Sequence, residues 1–290
     1  MEWRPNADSA ALLAAAQSVL EEYADYWPLS ARQIFYRLVA AHGLAKTESS
    51  YDRVLNVLQR ARRAELVPWA AIRDDGFSRS RLAGWSNKEA AFAAIRHTAE
   101  QFTLDRQQGQ ERRLFIWCEA QGMAPQLERV ASAYSVQVLS SGGFDSVTVK
   151  RSLGREFVDF GWVEVLHIGD HDPSGVHIFS SLAEDVQEFA YGEAQRQCKP
   201  EPLVEFERLA VTPAQIAVYK LPTVPAKRTD RRSFEGETCQ CEALPPDALA
   251  AIVEHAIKTR LDEEALAAAL ADETKQRAQL LARLALPADA

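Results

Sequence analysis

The alternation of apolar runs with helical patterns in the second half of the chain most constrains its fold. Three short runs have the composition of buried strands, at residues 114–120 (LFIWCEA), 135–141 (SVQVLSS) and 163–170 (VEVLHIGD). A helical pattern follows each of them, at residues 123–133, 146–160 and 173–190. Strands that alternate with helices of this length favour a parallel sheet covered on both faces. A further run at residues 204–211 (VEFERLAV) is a candidate for another strand.

The first hundred residues have a different, mainly helical pattern. We expect a first helix at about residues 8–26 and a third at about 49–64. Between them, Ser30 and Gln33 form a capping box that begins the second helix, and Gly43 follows it as a terminator.

Residues 67–82 then predict an extended run broken by Asp75-Gly76, which is a strong hairpin signal. Three helices followed by a basic hairpin indicate a winged helix-turn-helix, in which the third helix enters the major groove of DNA. The alternative is a helical bundle with a solvated charged face.

The polar stretch at residues 105–112 separates these two patterns, and a chain of 290 residues is long enough for two domains. We therefore predict an N-terminal winged-helix domain at 1–104, an α/β domain at 113–245 and a C-terminal helical extension at 246–290. The fold class is α/β plus α+β. The extension could cap the sheet or pair with a partner helix, and the pattern does not choose between them.

Charge is distributed unevenly along the chain. The net charge is −8, which by itself argues against a nucleic-acid partner. The segment 31–96, however, has twelve basic and six acidic residues, so the basic character is local. A second basic stretch, at 221–232, is either a DNA-contacting loop or a plain surface loop. The candidate DNA-binding residues are Arg53, Arg60, Arg62, Arg63, Arg73, Arg79, Lys227 and Arg228.

The chain has no apolar run of the roughly 18 residues that a membrane span needs, and its first residues do not have the pattern of an export signal. Its four cysteines are too few and too irregular for a disulfide framework, and the pair Cys239-x-Cys241 alone is a weak zinc signal. We expect a cytoplasmic, nucleoid-associated protein without a membrane partner.

Three acidic residues follow the predicted strands. Glu119 ends the first strand, and Asp170 and Asp172 follow the third in the sequence GDHDPSG. Because the carboxyl ends of parallel strands meet at one edge of a sheet, this oxygen-only set predicts a Mg²⁺ site that meets substrate phosphates. For Asp172 the alternative is an ordinary N-cap, with Pro173 at the first helical position.

His167, His171 and His177 crowd the same segment and raise a zinc alternative. We do not favour it, because His167 falls within a strand that is predicted to be buried.

Tyr36 is the candidate nucleophile. It lies roughly 130° around the second helix from the predicted apolar stripe, while Arg32, one turn earlier, lies near the same edge. The helix core therefore does not need Tyr36, and a neighbouring guanidinium favours the ionised phenol and binds phosphate. Such a pair suits attack on a phosphodiester. The alternative is that Tyr36 only packs against another element.

Together these motifs resemble the family of the topoisomerase VI A subunit and its meiotic double-strand-break relatives. The resemblance rests on Arg32-x-x-x-Tyr36 in a predicted winged helix, followed by Glu119 and by Asp170-x-Asp172 in an α/β domain, and it covers about residues 28–190. It implies a Toprim domain that binds Mg²⁺ through the three acids, with Glu119 also catalytic. It further implies that Tyr36, beside Arg32, attacks DNA to leave a 5′-phosphotyrosyl link.

In this family, the tyrosine of one protomer acts with the acids of the other, so the resemblance also implies a homodimer with composite sites. The chain is similar to the compact orphan form called Mini-A, and Phe35 precedes Tyr36 where the family usually has a second tyrosine. Since there is no Gly-rich nucleotide loop, strand passage would need a separate ATPase subunit of the B type.

The sequence therefore predicts a Mg²⁺-dependent, DNA-cleaving enzyme of the type IIB topoisomerase A class that acts on double-stranded DNA. Two alternatives remain open. One is a Toprim nuclease that hydrolyses DNA with metal-activated water, and the other is a non-catalytic winged-helix DNA-binding protein.

Overall fold

The computed structural model describes residues 3–73, 84–140, 147–225, 234 and 236–284. Its first part contains the three expected helices: α1 (Ala7–Glu22), α2 (Ala31–His42) and α3 (Glu48–Arg63). The capping box of Ser30 and Gln33 begins α2, and Gly43 ends it in the left-handed conformation, with φ of 65°. Both signals are thus confirmed.

The stretch after α3 differs from the expected extended run. Trp69–Ala71 forms a 3-10 turn, and in the described part of this stretch, which ends at residue 73, Ile72 forms a parallel bridge with Leu29. The predicted hairpin turn at Asp75-Gly76 lies outside the described residues. The three helices of the first prediction are therefore present, whereas the winged helix-turn-helix arrangement stays a prediction.

A four-stranded parallel sheet forms the centre of the second part. Its strands are β1 (Arg113–Cys118), β2 (Gln137–Ser140), β3 (Trp162–Ile168) and β4 (Leu203–Ala210). They lie in the order β2-β1-β3-β4, and every neighbouring pair is parallel. The α/β architecture and the fourth strand are confirmed.

Helices cover both faces of this sheet. The remaining helices are α4 (Lys88–Glu100), α5 (Ala124–Ala131), α6 (Val147–Phe157), α7 (Pro173–Gln197), α8 (Pro213–Tyr219), α9 (Pro246–Lys258) and α10 (Glu263–Leu284). Along β1, Phe115 and Trp117 point to the face covered by α6 and α7, while Leu114 and Ile116 point to the opposite face. This alternation follows from the two-residue period of a strand.

The apolar core crosses the predicted boundary between the first and second domains. One buried cluster joins Leu114 and Ile116 of the sheet with Leu29, Ile34 and Leu38 of the N-terminal part. The sheet and the helices α1 to α3 thus share one core. The division at 104 and 113 remains a prediction from the sequence pattern.

The two C-terminal helices have different positions. Helix α9 adds Leu249 and Val253 to the cluster under the sheet and packs on α5, so this part of the extension caps the sheet. Helix α10 instead packs on α4. None of the helices in the described ranges is both long and apolar enough to span a bilayer.

Candidate functional site

The carboxyl ends of β1 and β3 bring two of the predicted acids into contact. Glu119 directly follows β1, and its N–H donates to the carbonyl of Ile168 at the end of β3 (2.9 Å). Its side-chain Oε2 in turn accepts the N–H of Asp170 (3.3 Å). Because β1 and β3 are neighbours in the sheet, the segments that follow them meet at one edge, as the sequence predicted.

Two glycines make room for this contact. A Cβ atom at Gly169 would lie 2.7 Å from Glu119 Oε2 and 2.5 Å from Cε1 of His167. A Cβ atom at Gly175 would lie 2.3 Å from the carbonyl oxygen of Asp170 and 3.3 Å from the same Oε2. Both glycines of the GDHDPSG motif are therefore needed for close approach to the Glu119 carboxylate.

Asp172 caps α7. Its Oδ1 accepts the N–H of Gly175 (2.7 Å), and Pro173 occupies the first helical position. The capping alternative is thus confirmed for this residue, although a carboxylate keeps further lone pairs after accepting one bond. Asp170 is not a cap: its Oδ1 accepts the N–H of Cys241 (2.8 Å), which belongs to a distant segment of the chain.

Burial and repulsion between neighbouring carboxylates raise the pKa values of Glu119 and Asp170. The pKa of Glu119 rises to about 7, first because of burial and then because of the Asp170 charge. Burial also raises the pKa of Asp170, against the hydrogen bond from the Cys241 N–H. A cation bound here would lower the pKa of both carboxyl groups, because it favours their charged forms.

Arg208 on β4 is a site residue that the sequence analysis missed. Its guanidinium donates to the carbonyl oxygens of Gly169 (2.9 Å), Gly175 (3.2 Å) and Asp170. It thereby holds the acidic loop and the start of α7 together, and its charge lowers the pKa of Glu119, although burial and Asp170 outweigh it. The alternation along β4 could have indicated the inward position of Arg208, because this residue lies on the same face of the strand as the buried Val204.

The three acids fit Mg²⁺ by donor type, although their side chains do not converge. Carboxylate oxygens at the ends of adjacent strands are the ligands that Mg²⁺ prefers. Within the described ranges, however, no group of three His, Cys, Asp or Glu side chains is arranged to hold a metal ion. Each carboxylate instead accepts a backbone N–H. A shared ion would require these side chains to turn.

The histidines do not form the alternative zinc site. His167 is fully buried, and burial, with Arg208 second, lowers its pKa to about 3. Neither of its ring nitrogens has a hydrogen-bond partner in the part of the chain that the structure describes. His171 exchanges backbone hydrogen bonds with Cys239 (2.8 and 3.0 Å). All four cysteines are free thiols, and burial raises the pKa of Cys239 to about 11.

Tyr36 is a core residue, and the expectation that the helix core does not need it was wrong. Its side chain is only 4% exposed, and its ring packs edge-on against Phe35 at 5.4 Å. The single-stripe argument failed because α2 is covered on more than one side. Residues 33–38 are all buried, between the neighbouring helices and the 3-10 turn Cys241–Ala243.

Arg32 lowers the pKa of Tyr36, as expected, but other effects outweigh it. Burial raises this pKa well above its ordinary value of 10, the Glu242 carboxylate raises it further, and Arg32 only partly opposes them. Arg32 itself is paired with Glu242, with 3.8 Å between Nη1 and Oε2. Glu242 was missed in the sequence because only the tertiary fold brings it to α2.

A cavity of about 200 Å³ opens beside Tyr36. Its lining includes Arg32 and Lys46, and the Nζ of Lys46 lies 5.3 Å from the centre of the Tyr36 ring. The same Nζ donates to the carbonyl of Pro222 (2.9 Å), and burial lowers the pKa of Lys46. The cavity therefore combines two cationic side chains and the acidic Glu48 with the tyrosine.

The basic residues of α3 lie on its outer side. Arg53, Arg60 and Arg63 are exposed, and Arg62 stacks on the ring of Trp69 at 4.7 Å. Arg73 lines a shallow cavity with Arg62. Of the predicted DNA-binding residues in the described ranges, Arg53, Arg60 and Arg63 are thus presented to solvent, while Arg62 and Arg73 are half-buried. Arg79, Lys227 and Arg228 lie outside the described residues.

Comparison with known proteins adds no family: no protein-family model matches the chain, and no characterised protein matches it closely enough to count as a relative. The case for its function consequently depends on its own residues.

Proposed function

We propose that this protein cleaves double-stranded DNA through Tyr36, with Mg²⁺ held by Glu119, Asp170 and Asp172, as a topoisomerase VI A-like enzyme. The observation that carries the proposal is that residues 240–242 contact both halves of the site. Gln240 lines a cavity with Tyr36, the Cys241 N–H donates to Asp170, and Glu242 pairs with Arg32. The phenol borders a cavity that is lined by two cationic side chains. The carboxylates lie at the carboxyl ends of the strands, where parallel sheets usually bind their ligands.

The basic face of α3 supports DNA as the substrate. Arg53, Arg60 and Arg63 are exposed on a helix that follows α2 after a short turn, the arrangement of a recognition helix. Asn56 and Gln59 are exposed on the same helix, and side-chain amides of this kind can read base edges. Phosphates would meet the arginines, and bases would meet the amides.

The proposed step is a transesterification, so it needs no redox partner. The phenol oxygen of Tyr36 forms a bond to phosphorus, and the bond from phosphorus to the 3′ oxygen breaks. The phenol proton passes to solvent, and the departing 3′ oxygen takes one up. Arg32 binds a non-bridging phosphate oxygen, and Glu119 lies beside Asp170 as one of the acids that would hold the ion.

When Mg²⁺ is bound, it would neutralise charge that develops on the phosphate. The broken strand would keep a tyrosyl ester at its 5′ end, so the break could be resealed. Strand passage would still require a separate ATPase subunit, and assembly as a homodimer stays a prediction.

The test uses supercoiled plasmid and Mg²⁺, with the reaction stopped by detergent. We expect breaks whose 5′ ends stay linked to protein until protease is added. Tyr36→Phe should abolish these adducts and leave DNA binding within about twofold. Tyr219→Phe, which changes an exposed tyrosine on α8, is the matched control and should keep full activity.

One observation favours the nuclease alternative: Tyr36 is buried and its pKa is raised, so its phenol is a poor nucleophile in this conformation. A Toprim nuclease would release unlinked ends and retain activity in Tyr36→Phe. DNA that is bound but left intact, with binding unchanged by Asp170→Ala, would instead indicate a winged-helix DNA-binding protein.

A further inference from the structure

We propose that Lys46 is a second phosphate-binding residue of the cleavage site, holding one non-bridging oxygen of the phosphodiester that Tyr36 attacks while Arg32 holds the other. This inference rests on the proposed function, and it adds a residue that the family resemblance did not supply. It concerns only the half of the site that contains Tyr36, so it holds whichever protomer supplies the acids.

Lys46 is a half-buried cation in the loop between α2 and α3. Its Nζ donates a hydrogen bond to the carbonyl oxygen of Pro222 (2.9 Å). In the described part of the chain, no carboxylate forms an ion pair with it. Burial lowers its pKa, and the carboxylates of Asp170 and Glu237 oppose this effect only from longer range. Lys46 is therefore a partly desolvated charge that donates to a neutral carbonyl group.

This environment favours an anionic ligand. An ammonium has three N–H donors, and the carbonyl of Pro222 takes one of those of Lys46. Moving a charged group out of water is costly unless the group is paired and hydrogen-bonded. A phosphate oxygen would accept a second N–H and supply the opposite charge, and such charge-assisted hydrogen bonds are roughly twice as strong as neutral ones. A bound phosphate would thus offset the cost of burying Lys46.

Lys46 and Arg32 border the same phenol. The Nζ of Lys46 lies 5.3 Å from the centre of the Tyr36 ring, and both cations line the cavity beside it. They belong to different elements, since Arg32 is on α2 and Lys46 is in the loop that follows. The pair of Arg32 with Glu242 is loose, at 3.8 Å, and 49% of the Arg32 side chain is exposed. A phosphate that enters beside Tyr36 is therefore within reach of both cations.

The size and charge of the cavity fit one phosphodiester group. Its volume is about 200 Å³, whereas pockets for drug-sized ligands have about 300–1,000 Å³. The cavity thus suits a single phosphate of a longer chain better than a whole nucleotide. Among its described lining residues, Arg32 and Lys46 are positive and Glu48 is negative, which leaves a net charge of +1. Glu48 is exposed, so water screens its charge.

The first part of the test measures the salt dependence of DNA binding. A short labelled duplex is titrated with protein at several NaCl concentrations, with EDTA present so that no metal-dependent cleavage occurs. Each phosphate contact contributes about 0.9 to the slope of log K against log salt concentration. Lys46→Met keeps the length of the side chain and removes its charge, so it should make this slope shallower by about 0.9. Lys46→Arg should restore the slope.

The second part measures the rate of covalent adduct formation at saturating DNA, with Mg²⁺. Loss of one group that stabilises a transition-state oxygen lowers a rate by about 10²–10³-fold, and we expect a loss of this order for Lys46→Met. Lys46→Arg should recover most of the rate. Lys46→Gln, whose amide can still donate to Pro222, replaces Lys46→Met if that variant does not fold, as judged by circular dichroism.

Lys199→Met is the matched control, and it should change neither the slope nor the rate. Lys199 forms an exposed ion pair with Asp159 (2.7 Å). It lies between α7 and β4, at the amino ends of the strands and therefore at the opposite edge of the sheet from the acids.

The contrary results are distinct. If Lys46→Met changes the slope alone, then Lys46 contacts a phosphate away from the broken bond. If it changes the rate alone, then its role is structural, and either result refutes the inference. Both leave the proposed function in place, as does a Lys46→Met variant that behaves like the wild type. A wild-type protein that binds DNA and forms no adduct refutes the proposed function and this inference with it.

Discussion

Replacing Gly175 with alanine should destabilise the protein, whereas the same change at Gly192 on the same helix should not. At Gly175 the new Cβ would lie 2.3 Å from the carbonyl oxygen and 3.1 Å from the carbonyl carbon of Asp170. These are backbone atoms, so they cannot rotate away. At Gly192 the new Cβ would meet only Nη1 of Arg196, at 3.9 Å, which is an ordinary contact.

The expected magnitudes follow from these distances. Overpacking a close-packed site costs about 1–3 kcal/mol, and the better helix propensity of alanine returns up to about 1 kcal/mol. We therefore expect Gly175→Ala to lower the free energy of unfolding by about 1–2 kcal/mol. Gly192→Ala should raise it by about 0.5–1 kcal/mol, because alanine restricts the unfolded chain and fits the helix.

Urea unfolding at pH 7 measures both values. The slope of the free energy against urea concentration should stay constant, since the surface exposed on unfolding hardly changes. If Gly175→Ala is as stable as the wild type, or if both variants shift in the same direction, then the acidic loop is not packed against α7 as described.

Three further outcomes are expected. Glu119→Gln should flatten the pH dependence of stability in urea titrations: the raised pKa stabilises the wild type fully below about pH 4.5, and this contribution is lost as the pH rises through about 7. Ser30→Ala should lower the unfolding free energy by about 1 kcal/mol, because it removes the cap of α2. Glu273→Gln should lower the Tm at pH 7, because the carboxylate binds Arg106, Arg277 and the Leu104 N–H. As the pKa of Glu273 is lowered to about 2, the Tm difference should vanish as the pH falls from about 4.5 towards 2.

Each of these three predictions has a control variant or an outcome that would contradict it. A pH profile of Glu119→Gln that is as steep as that of the wild type would contradict the role given to Glu119. Ser18→Ala, at an exposed position within α1, should not destabilise. A Tm difference for Glu273→Gln that persists at pH 2 would show that charge is not the cause.

Much of the local structure could be predicted because its causes are local. The Ser30 and Gln33 capping box, the left-handed Gly43 and the alternating strands depend on neighbours a few residues away, and all are present. The meeting of Glu119 and Asp170 was also predictable, since parallel connectivity alone puts the ends of neighbouring strands at one edge.

The site around Tyr36 was not predictable in the same way. The burial of Tyr36 depends on the 3-10 turn at Cys241–Ala243, about two hundred residues further along the chain. A hydrophobic period could not predict this burial, because it describes only one face of a helix. Arg208 is an intermediate case, because its place on the buried side of β4 could have been read from the strand alternation.

The sequence by itself determined which residues begin and end the helices, which runs form the parallel sheet and which acids lie at its edge, because caps, periods and strand connectivity act over short distances. Only the tertiary structure decided that Tyr36 is buried, that Arg32 pairs with Glu242 and that Arg208 holds the acidic loop. These facts depend on desolvation and on contacts between distant segments. No local pattern encodes them, because the free energy of burying a charge or a phenol is set by whatever the fold packs against it.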